Sequence, residues 1–313
     1  MALWPARLQH NDPRLTAASR ACWQSLPAAW RAQANDIWLP LASEIAQRAQ
    51  SHRHSHHQAA IIGIHGGQGS GKSTLSNALA RLYQAALGWQ VAVISIDDLY
   101  LSKAERQRLA RDIHPLLATR GVPGTHDVHA GITLFEQLRQ LQPGQPLSYP
   151  AFDKIRDDRC PAAQWHSVRG PLDLILFEGW CVGCRPQPQS QLLTPINALE
   201  RTEDPDGRWR HWVNRQLAGD YQNWFSQINW LLTLQVPGMQ AVQQWRSQQE
   251  QDNRRASHTP DAGLNEQQLQ RFIQHYQRLT EHALQTMPDN ANLVLQLNSD
   301  HQVADIHYTE TVS

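Results

Sequence analysis

The sequence predicts an α/β fold: a parallel sheet covered by helices on both faces, with a helical N-terminal extension and a helical lid. Three observations predict it. Apolar runs at Ala59–Ile64, Val91–Ile96, Leu172–Phe177, Asn229–Gln235 and Asn292–Leu297 read as strands buried on both sides. Helical stretches separate them, which is the pattern of a crossover-connected sheet. A glycine-rich loop joins the first run directly to a helix expected over Ser73–Ala86.

The N-terminal fifty or so residues carry Trp4, Trp23, Trp30 and Trp38 among Ala, Leu and Arg, a composition that reads as amphipathic helices. Ser51–Gln58 (SHRHSHHQ) reads as a polar joint, and places the extension at residues 1–57 and the main domain at 58–313. Its His52, His54, His56 and His57 have no Cys or acidic partners in the flanks, so a solvated linker is favoured over a metal tract. Ala256–Asp261 is polar, is broken by Pro260, and reads as a mobile surface loop within a lid at about 240–262. The following helix, expected over Glu266–Gln285, places Leu269, Phe272, Ile273, Tyr276 and Leu279 on one face.

Composition narrows the function. The 313 residues hold 28 Lys plus Arg against 28 Asp plus Glu, so no net positive charge gathers a polyanion, and nucleic acid is disfavoured as a partner. Apolar runs such as Trp230–Val236 are too short to cross a bilayer, and the N-terminus lacks a signal-peptide core. Four scattered cysteines do not make a disulfide framework. A cytoplasmic location is expected.

Gly66-Gly67-Gln68-Gly69-Ser70-Gly71-Lys72-Ser73 fits G-x-x-x-x-G-K-[ST] completely and sits between strand and helix, with Thr74 following. Glycines let backbone N–H groups surround a β-phosphate, and the helix adds its positive end. Lys72 would reach the β and γ oxygens, and the Ser73 hydroxyl would ligate Mg²⁺. No N/T-K-x-D guanine-reading segment occurs, so the expected nucleotide is ATP.

Ligands gather at the carboxyl ends of strands in an open parallel sheet. There the second run enters Asp97-Asp98 and the third enters Glu178-Gly179. Phosphoryl transfer uses one carboxylate to orient the substrate hydroxyl and usually another near the metal. Asp97, Asp98 and Glu178 are the candidates, against a capping or turn role.

Ser95-Ile96-Asp97-Asp98-Leu99-Tyr100 resembles the S-x-D-D-F-Y element of the phosphoribulokinase/uridine kinase group, with Leu99 where that group has Phe. The resemblance implies a P-loop kinase fold, Asp97 as catalytic base and Glu178 as the metal-side acid, with Asp98 a further metal candidate. Arg120-Gly121-Val122-Pro123-Gly124-Thr125-His126-Asp127 resembles the R-G-x-P-G-T-H-D loop of the glycerate 3-kinase branch. Tyr149-Pro150-Ala151-Phe152-Asp153-Lys154 with Asp158-Arg159, Phe177-Glu178-Gly179-Trp180 with Gly183, Pro195-Ile196-Asn197, and Trp245-Arg246 with Gln248-Gln249-Glu250 are similar to further segments of that branch. The resemblance spans roughly residues 61–284. It implies transfer of the γ-phosphoryl of Mg-ATP to a small hydroxy acid, D-glycerate, with Arg120, Thr125, His126, Asp127, Lys154 and Arg159 at the acceptor and Arg246 closing from the lid beside the catalytic Lys72. Arg suits such a site through its bidentate donors.

Cys181-Val182-Gly183-Cys184 invites a redox or zinc reading, but no second pair completes a zinc site, and small loop residues are the plainer reading. Two alternatives stay open: a kinase for another small acceptor (nucleoside, pantothenate or sugar acid), and a nucleotide-gated ATPase that is not a kinase.

Overall fold

The structure is a computed structural model that describes residue 4, residues 12–256 and residues 265–309. Three N-terminal helices come first, α1 (Pro13–Cys22), α2 (Ala28–Ala32) and α3 (Leu39–His56). Strand β1 (Ala60–Gly66) then leads through the glycine-rich loop to α4 (Lys72–Leu87) and β2 (Val91–Ser95). Helices α5 (Lys103–Asp112) and α6 (Val128–Gln140) precede four short strands, β3 (Pro146–Tyr149), β4 (Phe152–Asp153), β5 (Asp158–Arg159) and β6 (His166–Arg169). Strand β7 (Leu174–Gly179) returns to the sheet, followed by α7 (Ala198–Glu203), α8 (Arg208–Ala218), α9 (Asp220–Phe225) and β8 (Trp230–Gln235). The chain closes with α10 (Met239–Ala256), α11 (Glu266–Asn290), β9 (Leu293–Leu297) and β10 (Val303–Tyr308).

The main sheet has the order β10-β9-β8-β1-β7-β2. The five expected strands pair parallel, which puts β1 at the centre between β7 and β8. The sixth, β10, is antiparallel to β9 and was not expected. Its alternation is half-buried and interrupted by a register shift between Val303 and Asp305, so it lacks the continuous apolar signal of an inner strand.

Alternate residues of the inner strands feed two cores. Ile62, Ile64, Leu174, Leu176, Leu232 and Leu234 pack with α3, α4 and the N-terminal helices, in a cluster that includes Leu15, Trp23, Trp30 and Trp38. Ile61, Ile175, Phe177 and Leu231 pack on the opposite face with residues of α6, α9 and α11. Helix α11 opens with an Asn265/Gln268 capping box and buries Leu269, Ile273, Tyr276 and Leu279 as its periodicity predicts.

The polar joint expected at Ser51–Gln58 is a correction: α3 continues through it to His56 and stops at His57, whose φ is 55°. Polar residues there form an exposed end of the helix, and Arg53, His54 and His56 suit its negative C-terminal pole. The loop expected at Ala256–Asp261 falls, beyond Ala256, outside the described residues. Among those described, no helix is long and apolar enough to cross a membrane.

Candidate active site

The cradle lies between the buried end of β1 and the first turn of α4. Gly69 and Gly71 adopt φ of 80° and 87°, which side chains rarely tolerate. A Cβ on Gly66 would meet Ser70 Oγ at 2.4 Å, so the loop closes tightly on itself. The Ser70 hydroxyl and Gln68 Oε1 are buried in the cradle without a partner. Lys72 is the first residue of α4, and Ser73 and Thr74 are exposed in its first turn.

Glu178 is the penultimate residue of β7, in register with Ile64 on one side and Ser95 on the other. That register sets it beside the cradle: Ser73 Oγ donates to Glu178 Oε1 at 2.8 Å. Its other oxygen is buried and unpartnered, an orphan atom of the kind a cation or ordered water satisfies. Burial raises the carboxyl above its ordinary range, and the Lys72 ammonium offsets only part of that.

Asp97 follows β2 in a short 3₁₀ turn. Tyr100 OH donates to its Oδ1 at 2.9 Å, and Lys154 Nζ lies 2.7 Å from Oδ2. Burial pushes this carboxyl up, but Lys154, Lys72 and the Tyr100 hydroxyl together outweigh it and hold the group below the usual carboxylate range. Asp97 is therefore ionised at any ordinary pH.

Asp98 departs from expectation. Its Oδ1 accepts from the Phe152 backbone N–H at 3.1 Å and its Oδ2 lies 3.2 Å from His166 Nε2, so it ties the turn to β4 and β6. Successive residues of a tight turn point apart, and only Asp97 joins the cluster of Lys72, Lys154 and Glu178.

The remaining expected residues divide. Arg120 pairs with Asp157, donates to the Lys154 carbonyl at 3.2 Å and stacks its guanidinium 5.5 Å from the Phe152 ring, bracing the hairpin that carries Lys154. Arg159 bonds the Tyr100 carbonyl at 2.8 Å and Asp127 Oδ2 at 2.9 Å, while Asp127 Oδ1 caps α6 through Ala130 N–H. Thr125 is fully buried; its hydroxyl accepts from Gly121 N–H and donates to the Val122 carbonyl, so it shapes the loop. Arg246 lies on α10 with its guanidinium 5.6 Å from the Phe272 ring of α11.

His126 stacks on Tyr100 with centroids 4.5 Å apart. The Tyr221 hydroxyl accepts from Gly124 N–H at 2.9 Å and shares a hydrogen bond with His126 Nδ1 at 2.6 Å, whose direction is set by the ring's tautomer. Its Nε2 is buried and unpartnered. Burial lowers the ring's pKa to about 3, despite the opposing pull of Asp97, so the ring is neutral.

The sequence did not single out Tyr100, Asp157 or Tyr221 as site residues, and read Tyr276 only as core. Tyr276 OH donates to the Arg120 carbonyl at 3.0 Å, and its ring packs 4.8 Å from Trp180, whose indole N–H donates to the Gly121 carbonyl. Tyr100 stood within a motif already quoted; Tyr221 and Tyr276 lie in helices remote in sequence and carry no local signal. Cys181 and Cys184 are free and buried, which raises both thiols.

A Schizosaccharomyces pombe protein described as uncharacterized kinase mug58 is 35% identical over 225 residues, which cover 69% of this chain and 78% of that one. The chloroplastic D-glycerate 3-kinase of Arabidopsis thaliana is 32% identical over 224 residues. The chain belongs to the glycerate kinase branch of the P-loop kinases. The match to the plant enzyme spans 46% of that enzyme's length. Among solved structures, D-glycerate 3-kinase from Cryptococcus neoformans superposes with a TM-score of 0.69 over 87% of this chain and 99% of its own, at 22% identity. The YGR205w protein does so with a TM-score of 0.64 at 23% identity, over 87% of this chain and 99% of its own. Both have the P-loop kinase fold, here with its sheet, cradle and strand-end acids assembled. No family model matches the chain. A glycerate-branch kinase is a phosphotransferase with an alcohol acceptor.

Proposed function

We propose that this kinase transfers the γ-phosphoryl group of Mg-ATP to D-glycerate, giving ADP and 3-phosphoglycerate. The observation that carries the reading is the pairing of acids at the cradle mouth, Glu178 bonded to Ser73 and Asp97 ionised beside Lys154 and Lys72. The acceptor is supported by the plant relative's activity and by the shared R-G-x-P-G-T-H-D segment.

In this reading Gly66–Gly71 and Thr74 surround the nucleotide phosphates and Lys72 reaches their β and γ oxygens. The donor set fits Mg²⁺, which takes one or two protein oxygens and completes its shell with phosphate and water: Ser73 and the orphan oxygen of Glu178 would hold it. Bound there, the ion would neutralise charge across the phosphates. Asp97 accepts the hydrogen bond of the attacking hydroxyl and fixes its direction. So weak a base takes the proton late, as the new O–P bond forms and the bond to the β-phosphate oxygen breaks, which suits a loose transition state. Lys154 sits between Asp97 and Glu178 in charge reach, and stays with the transferring group. Arg120 holds the Lys154 hairpin, the neutral His126 ring backs Tyr100 beside Asp97, and Arg246 closes from the lid and excludes water. Residues 58–313 form the kinase domain, residues 1–57 its extension and the α10 region at about 240–262 the lid. A cytoplasmic location belongs to the same reading.

The test is a coupled ADP-release assay across small hydroxy acids, nucleosides and pantothenate. D-Glycerate should give the highest kcat/KM by at least tenfold. A nucleoside or pantothenate in that place would overturn the acceptor, and a fast ATPase indifferent to every acceptor would overturn the transferase.

A further inference from the structure

We infer that Trp30 is a positioning residue of the nucleotide site: the N-terminal helices hold the phosphate cradle in its binding shape from behind. The inference rests on the reading of that cradle as a phosphate site.

The two cradle glycines with left-handed φ each rest against a tryptophan, Gly71 on its indole and Gly69 on its Cβ. A Cβ on Gly71 would lie 2.7 Å from two carbons of the six-membered ring of Trp30. A Cβ on Gly69 would lie 2.7 Å from Cβ of Trp245 on α10. Both tryptophans are anchored to the same β9–β10 turn. Trp30 Nε1–H donates to the His301 carbonyl at 2.6 Å, and Trp245 Nε1–H donates to the Ser299 carbonyl at 3.1 Å. The Trp245 and His301 rings stack with centroids 3.9 Å apart.

Trp30 is itself locked. Trp38 packs 4.3 Å from it and donates its indole N–H to the Trp30 carbonyl at 2.9 Å. Gln33 exchanges two hydrogen bonds with the backbone of Val303, tying the same segment to the start of β10. Trp30 is 1% exposed, so the ring has no freedom to withdraw.

Backbone N–H groups bind phosphate best when already aimed at it, because a loop that must order on binding loses affinity. The glycines that permit this loop would also let it wander. A rigid indole against Gly71 removes that freedom at the residue preceding Lys72. A tryptophan that served only the core would need no contact with the cradle, and Trp23 is such a residue: it is buried in the same cluster, and its indole N–H has no partner.

The experiment compares full-length wild type, Trp30→Phe and Trp23→Phe by calorimetric titration with Mg-ADP, without acceptor, and by steady-state kinetics. Phe is too short to reach Gly71 and cannot donate to the His301 carbonyl. Freeing one backbone residue should weaken Mg-ADP binding and raise the KM for ATP by roughly five- to thirtyfold. The KM for D-glycerate should stay within about twofold, and Trp23→Phe should leave both constants within about twofold of wild type. Wild-type ADP affinity in folded Trp30→Phe, or equal weakening by Trp23→Phe, would overturn the inference. If Trp30→Phe does not fold, Gln33→Ala, which unties the same segment from Val303, is measured the same way, and unchanged ADP affinity there overturns it. Wild-type protein that binds no Mg-ADP would overturn the nucleotide reading itself.

Discussion

Replacing Asp97 with Asn separates chemistry from structure at this site. The asparagine keeps an oxygen to accept from Tyr100, but turns an amide toward Lys154 Nζ, which lies 2.7 Å from Asp97 Oδ2. The Lys154 side chain is 61% exposed and can swing into water, so the lost ion pair costs at most about 1 kcal/mol of stability. For a chain of this size that is a Tm change of a few degrees, about 4 °C at most. The catalytic cost is larger. A positioned proton acceptor contributes on the order of 10²- to 10⁴-fold, or about 2.7–5.5 kcal/mol of barrier. We expect kcat to fall at least a hundredfold while the Kd for Mg-ADP stays within about threefold. The assay is steady-state ADP release at saturating Mg-ATP and D-glycerate, with calorimetry for ADP and scanning fluorimetry for Tm. A kcat within about threefold of wild type would place the proton acceptor elsewhere. A Tm collapse of 10 °C or more (well beyond the ion-pair cost) would show that Asp97 holds the fold.

Other substitutions test other parts of the account. A raised carboxyl contributes stability that is complete below its unfolded value and is lost as pH rises through its folded value. The Tm advantage of Glu178→Gln over wild type should therefore be greater at pH 7–8 than near pH 4, and parallel curves would contradict it. Arg120→Ala should raise the KM for D-glycerate by roughly tenfold through loss of the Lys154 brace, while ADP affinity is kept; a defect confined to ADP binding would show that Arg120 serves the nucleotide. Thr125→Val leaves the Gly121 N–H buried and unpaired, so Tm should drop by roughly 2–12 °C, and a normal Tm would mean the turn does not need that hydroxyl.

What the sequence revealed and what it withheld follow from the range of each signal. The cradle is eight consecutive residues whose conformation is set locally, and the acids at 97 and 178 are placed by strands whose apolar runs are continuous. Both were legible. Ser51–His56 was misread because a solvated helix end and a polar linker share a composition; only the packing of α3 on β1 tells them apart. Asp98 was grouped with Asp97 because adjacency in sequence says nothing about direction in a 3₁₀ turn. Thr125 was grouped with the acceptor candidates because of its motif, whereas its hydroxyl bonds the backbone of its own loop. The support of Gly71 by Trp30 and of Arg120 by Tyr276 joins segments far apart in the chain, and a single sequence carries no trace of either.

The most direct measurement is phosphorus NMR of the purified protein with Mg-ATP and D-glycerate. The account predicts a phosphomonoester resonance of 3-phosphoglycerate that grows in step with ADP. Inorganic phosphate as the only other product, or no ADP at all, would contradict it.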